Sequence, residues 1–210
     1  MTSQPPRGGE AKSVIELPAP RLRGEVSLES ALATRRSIRD YGDAPLSPED
    51  VSQLLWAAQG VTAPDGGRTA PSAGALYPLE IFLVAGNVAS LDAGVYQYQP
   101  PGHTIVRLSA GDRRGPLAGA ALGQECLREA AAVIVFSAVF ERTKEKYGER
   151  TTRYVHLEAG HAAQNVCLQA TALGLGAVPV GAFDDAAVHR ALDLPAEVRV
   201  VYLIPVGKRE

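Results

Sequence analysis

Between Arg153 and Leu173 the residues Val155, Ala159, Ala162, Val166, Ala170 and Leu173 recur at three- and four-residue spacing. That period belongs to a helix, and a helix of this length runs about 30 Å. Its apolar stripe is mostly alanine, so whatever packs on it must approach closely. Two apolar runs lie to either side in sequence. Ala131 to Phe140, with Val133, Ile134, Val135 and Phe136 consecutive, reads as a buried strand, and Val198 to Val206 reads as another. The pattern shows no regular β-α-β alternation and no internal repeat. One long helix among buried strands therefore implies an α+β fold.

The remaining elements follow from local chemistry. Ser47-Pro48-Glu49-Asp50 is a helix start: a capping hydroxyl, proline at the first position and acids in the first turn. Val51, Leu54, Leu55 and Ala58 continue it, and Gly60 stops it. Ser27 caps a helix through Arg35 with Leu28, Ala31 and Leu32 as its apolar stripe. Leu79 to Val84 reads as a strand. Residues 95–98 and 105–108 form a hairpin around Pro100-Pro101-Gly102. Helices are expected over 112–122 and over 184–192, the latter capped by Asp184. Residues 1–26, with Pro5, Pro6, Pro18 and Pro20 and little periodicity, read as an extended or flexible arm. Residues 27–210 then form a single domain.

Composition excludes several functions. The 210 residues can bury a core without a disulfide or metal staple. Lys and Arg number 21 against 23 Asp and Glu, and no basic run stands out. A nucleic-acid footprint or a membrane-surface patch is not expected. Neither a membrane span nor a secretory signal is visible. Cys126 and Cys167 are too few for a disulfide framework, so a reduced, cytoplasmic setting is expected.

Several motifs fail on spacing. Gly174, Gly176 and Gly181 follow a helix, whereas a dinucleotide fingerprint needs G-x-G-x-x-G between strand and helix. His156 and His161 are five apart, about 140° round a helix, and cannot share a metal from one face. No metal site is expected. Glu158-x-x-His161 matches half of a di-iron helix motif without its second copy.

Three segments survive. R-R-S-I-R, residues 35–39, sets three guanidiniums and a hydroxyl at a helix end. That suits phosphate, or simply a solvated turn that offsets the helix dipole. P-S-A-G-A-L-Y-P, residues 71–78, closes a long loop over 61–75, and such loops are usually functional or disordered. Its small residues allow a flat ring to approach the backbone, or form a plain turn. G-L-G-A-V-P-V-G-A-F, residues 174–183, must bend or end near Pro179, which leaves the N–H groups of Gly181 and Ala182 for a ligand or marks a simple kink.

In this order, with K-Y-G-x-R at 146–150 and R-Y-x-H-L-E-A-G-H-x-x-Q-N at 153–165, the segments resemble the FMN-dependent nitroreductase family. The likeness favours its SagB-type branch, which includes the azoline dehydrogenases of thiazole and oxazole peptide synthesis. It implies an α+β sandwich with a mainly antiparallel sheet flanked by helices, in a homodimer with FMN at the interface. By resemblance, Arg35, Arg36, Ser37 and Arg39 hold the FMN phosphate and ribityl chain, and Lys208, with Arg209, completes the phosphate site. Pro71, Ser72, Ala73 and Gly74 reach the flavin of the other subunit, although Ala73 and Ala75 stand where the common loop has Ser and Asn. Pro179, Val180, Gly181 and Ala182 line the ring, and Gln124 meets its pyrimidine edge. The implied reaction is ping-pong hydride transfer between flavin N5 and NAD(P)H or a small organic acceptor. An alternative is oxygen-using azoline dehydrogenation of a modified peptide, with Lys146 and Tyr147 as the catalytic pair. A third is a scaffold or flavin-binding subunit without catalysis.

Overall fold

A computed structural model describes residues 13–210; the first twelve residues of the expected arm lie outside it. Its strands are β1 (Val14–Glu16), β2 (Leu79–Ala85), β3 (Gly94–Gln99), β4 (Thr104–Ala110), β5 (Ala132–Ala138), β6 (Leu175–Ala177) and β7 (Arg199–Lys208). They form one sheet in the order β1-β4-β3-β2-β5-β7-β6, and every neighbouring pair is antiparallel. The helices are α1 (Leu28–Thr34), α2 (Pro48–Gln59), α3 (Arg114–Ala120), α4 (Glu125–Glu129), α5 (Glu141–Tyr147), α6 (Thr151–Ala172) and α7 (Asp185–Leu192). This is the α+β sandwich the sequence implied.

Strand alternation divides the core into two layers. On β5, Ala132, Ile134, Phe136 and Ala138 face α2 and α6, while Val133 and Val135 join the cluster beneath α3, α4 and α7. β2 splits the same way, Ile81 and Leu83 against Phe82 and Val84. The central strands are buried on both faces, which explains why they read as continuous apolar runs. α6 lays Val155, Ala159, Ala162, Val166 and Ala170 on the sheet as its stripe predicted. The Ser47 hydroxyl accepts from the Asp50 amide, and the Asp50 carboxylate accepts from the Ser47 amide, which closes a capping box on α2. Asp184 caps α7 through the Ala187 amide, 2.7 Å away.

Four features depart from the sequence reading. α4 and α5 are additional: α4 is five residues long and buries only Cys126 and Leu127, and α5 buries only Thr143. β1 is a strand within the expected arm, paired with β4. On α1 only Ala31 is buried, whereas Leu28 and Leu32 are 62% and 54% exposed. Among the described residues no helix is long and apolar enough to cross a membrane.

The segment after β1 is tied to the body by polar groups. The Tyr98 hydroxyl lies 2.9 Å from His103 Nδ1, and His103 Nε2 lies 3.0 Å from the Pro18 carbonyl and 2.7 Å from Ser52 Oγ. A neutral ring with its proton on Nε2 satisfies these contacts. Burial lowers the His103 pKa, opposed in part by the Pro18 carbonyl. The folded ring thus stays neutral where the unfolded one, near pH 6.5, takes a proton. Its stabilisation is present above that pH and is lost as pH falls through the lowered folded value. His103→Ala strands the buried Tyr98 hydroxyl, so it is expected to cost about 1–3 kcal/mol and to flatten the acid limb of a melting-temperature profile.

Candidate functional site

After α1 the chain extends along the sheet edge at β6. The Ile38 amide donates to the Ala177 carbonyl at 3.0 Å, and the Gly42 amide to the Lys208 carbonyl at 2.9 Å. The buried Tyr41 hydroxyl donates toward the Ile38 and Pro205 carbonyls. Gly207 permits this approach, since a Cβ there would lie 2.8 Å from the Tyr41 ring. These contacts hold residues 35–39 beside the ends of β6 and β7.

The cations of this end divide into two sets. Arg36 Nη1 donates to the Ala33 and Arg35 carbonyls at 3.1 and 2.7 Å, so it closes the C-terminus of α1. Lys208 Nζ is paired with Asp50 at 2.6 Å. Burial pushes the Asp50 carboxyl up, but hydrogen bonds from Lys208 and Ser47 outweigh it and hold the group below its ordinary value. Arg209 Nε donates to the Leu175 carbonyl at 3.1 Å. Arg35 and Arg39 enter no ion pair among the described residues. The charge of Arg35 is felt at Cys167, whose thiol burial pushes up to about 11, and that of Arg39 at Tyr41 and Cys126. Ser37 is exposed between them.

The proline segment bends as expected. β6 ends at Ala177, and Val180 exchanges two hydrogen bonds with Leu203 of β7, at 2.8 and 3.0 Å. Gly181 and Ala182 are then exposed. Among the described residues their amides donate to no backbone carbonyl. Gln124 sits against this turn, with Nε2 donating to the Ala182 and Ala121 carbonyls at 2.9 Å each.

A second cluster forms around the loop from Arg68 to Tyr77. The Ser72 hydroxyl accepts from the Tyr77 amide at 2.9 Å. Gly74 has φ 64°, and a Cβ built on it would lie 2.8 Å from Lys146 Nζ and 2.9 Å from Tyr147 Oη. The final turn of α5 thus brings Lys146 and Tyr147 onto the small-residue loop, through a helix with no sequence periodicity to announce it. Arg142 and Lys144, the cations nearest Lys146 in sequence, are engaged elsewhere: Arg142 with Glu80 and the Tyr77 carbonyl, Lys144 with Glu141. The Arg68 guanidinium lies 4.2 Å over the Tyr77 ring and donates to Gln59 at 2.9 Å. Beneath the loop, Glu158 of α6 is 3% exposed. Burial pushes its carboxyl up to about 7, against Ser72 and Arg68, which favour the anion. Arg68 and Glu158 are absent from the sequence-based site. The visible signal was a carboxylate at 158 on the same helix face as Val155 and Ala162.

Within one chain the two clusters occupy different stations on α6. The charge of Arg35 is felt at Cys167 and the Ser72 hydroxyl acts on Glu158, nine residues apart, or about 13 Å along the axis. The arginines and the proline segment share one end, and the 71–74 loop with Lys146 and Tyr147 shares the other.

The nitroreductase family model matches residues 32–208. The chain is 45% identical over 185 residues to the candidate nitroreductase MJ1384 of Methanocaldococcus jannaschii, covering 88% of this chain and 92% of that one. It is 30% identical over 157 residues to the microcin B17-processing protein McbC of Escherichia coli, covering 71% of this chain and 57% of McbC. The solved structure of a candidate nitroreductase from Ralstonia eutropha JMP134 superposes with a TM-score of 0.83 at 29% identity, over 100% of this chain and 96% of that one. A family match over most of the length, a relative this similar and the shared sandwich agree, and the chain belongs to the nitroreductase family.

Proposed function

We propose that this nitroreductase-family oxidoreductase binds FMN and works as a homodimer, each flavin held between the arginine end of one copy and the 71–74 loop of the other. The observation that carries the reading is the small-residue loop at Gly74, whose left-handed φ suits glycine and whose backbone lies close under Lys146 Nζ and Tyr147 Oη. A flat ring needs such a surface, and Arg35 and Arg39, which enter no ion pair among the described residues, suit a phosphate, so the residues fit the group. Bound FMN supplies hydride transfer at N5. Arg35, Ser37 and Arg39 hold the phosphate and ribityl chain. Pro179 to Ala182 offer exposed amides to the ring edge, and Gln124 fixes that turn through the Ala182 carbonyl. Lys208 reaches a phosphate only by sharing itself with Asp50. Leu28, Leu32 and Leu157 lie exposed on α1 and α6, which pack together, and they supply an apolar face for the second copy.

NAD(P)H is one electron donor for this arrangement. A second reading, azoline dehydrogenation of a modified peptide with oxygen as the final acceptor, is favoured by the position of Lys146 and Tyr147 and by the likeness to a microcin-processing protein. There Lys146 accepts the proton that leaves as hydride departs, and Tyr147 orients it. Stopped-flow reduction of the flavin-loaded protein by NADH, NADPH and an azoline peptide tests both. Reduction by a nicotinamide alone selects the reductase, and reduction by the peptide selects the dehydrogenase. Failure to retain flavin at all leaves the scaffold reading.

A further inference from the structure

Glu158 has no place in the roles above, yet its setting is costly. Its Oε1 is buried without a hydrogen-bond partner among the described residues, and the face around it is alanine and valine. An ionised carboxylate without partners in such a place is strongly disfavoured, whereas a protonated one is tolerated. The groups that favour its anion belong to the loop: the Ser72 hydroxyl and, through its charge, the Arg68 guanidinium. Ser72 Oγ accepts from the Tyr77 amide, which leaves its own proton available to favour the Glu158 anion. Arg68 is held away by Gln59 and the Tyr77 ring. Two turns further along α6, Asn165 Nδ2 donates to the Thr69 carbonyl at 3.1 Å. Asn165 thus ties the loop at Thr69 to the helix that carries Glu158, and Gly74 of the same loop lies against Lys146 and Tyr147 of α5.

We propose that Glu158 is a positioning residue for Lys146 and Tyr147: its neutral, proton-bearing form keeps the Arg68–Tyr77 loop seated on α6, and loss of the proton draws Arg68 off Tyr77 and shifts the loop under the pair. Other titratable groups surround the site. Glu80 of β2 is already paired with Arg142 of α5, Lys146 and Tyr147 sit above the loop, and Tyr154 and His161 lie one turn away on α6. Arg68 and Ser72 are the groups that favour the anion directly, and burial opposes them. The inference rests on reading Lys146 and Tyr147 as the reacting pair, but the motion of the loop is independent of that reading.

The test is hydrogen exchange of residues 61–77 in the full chain across neutral pH, paired with fluorescence of the single Trp56, whose carbonyl accepts from Thr69 at the root of the loop. Wild type should lose loop protection, beyond the intrinsic pH dependence of exchange, with a midpoint near 7, the value to which burial raises Glu158. Glu158→Gln mimics the neutral form and should stay in the low-pH state throughout. Ser72→Ala removes a bond that favours the anion and should move the midpoint upward, which supplies a second variant if Glu158→Gln fails to fold. In turnover of whichever substrate is active, the wild-type rate should fall on the alkaline side of that midpoint, and Glu158→Gln should lack that limb. A wild-type loop with no transition near neutrality, or a Glu158→Gln protein that titrates like wild type, overturns the proposal. A loop that titrates in a protein inactive on azolines leaves it standing and removes the dehydrogenase reading instead.

Discussion

Lys146→Ala is expected to slow azoline oxidation by about 10²–10⁴-fold, the range for loss of a general base, and to spare reduction of the flavin by NADH or NADPH. A nicotinamide delivers hydride with no carbon-bound proton to abstract. An azoline loses a proton as well as a hydride, so a base must sit within hydrogen-bond reach of it. Lys146 Nζ and Tyr147 Oη are the polar groups closest to the position of a Gly74 side chain. Tyr147 is further fixed by the Tyr154 ring, at 4.7 Å between centroids. Tyr147→Phe keeps that packing and removes only the hydroxyl. The two half-reactions must be compared at equal FMN occupancy, because a displaced loop would weaken binding too. If neither substitution alters turnover of any substrate, the pair is a surface feature and the plain reductase reading stands.

Arg35→Ala and Arg39→Ala should each weaken FMN binding by about ten- to hundredfold, which is the loss of one charge-assisted contact worth about 1.5–3 kcal/mol. The structure sharpens this expectation. Arg36 is already committed to the C-terminal carbonyls of α1, so Arg36→Ala should act mainly on helix stability and much less on FMN. If the loop of a second copy completes each site, flavin retention and dimer formation are linked, and weakening one weakens the other. Fluorescence titration with FMN, followed by light scattering of the loaded protein, checks both. Unchanged affinity in both variants removes the phosphate assignment, and a flavin-loaded monomer removes the shared site.

The sequence was most readable where local chemistry decides structure. The Ser47 and Asp184 caps, the central strands and the alanine stripe of α6 are short-range signals, and each stands where it was expected. α5 buries only Thr143, so it carries no apolar period to detect. α4 is shorter than any window in which a period can be counted. β1 exists because β4 offers an edge, which is a long-range fact no three-residue stretch can express. The exposed Leu28 and Leu32 show the limit of pattern reading. The stripe is present, but it does not face the core of its own chain. The resemblance collected Lys146, Tyr147 and the 71–74 loop as separate motifs; their meeting over Gly74 required the turn of α5. Glu158 was hidden because a stripe is counted by its apolar members, and a carboxylate among them reads as a gap.

The extended run from Ile38 to Gly42 has a consequence for solubility. β6 ends the sheet, and an uncovered strand there would present unpaired amides and carbonyls to any other chain. The Ile38 amide occupies the Ala177 carbonyl, Arg209 occupies the Leu175 carbonyl, and Ile38 and Tyr41 lie against Gly176, so the segment that also carries the arginines covers much of this edge. The proposed phosphate site and the protection of this edge therefore share one stretch of backbone. Substitutions that loosen residues 38–42 should lower the yield of soluble protein before any loss of cofactor can be measured, whereas changes confined to the guanidinium of Arg39 should not.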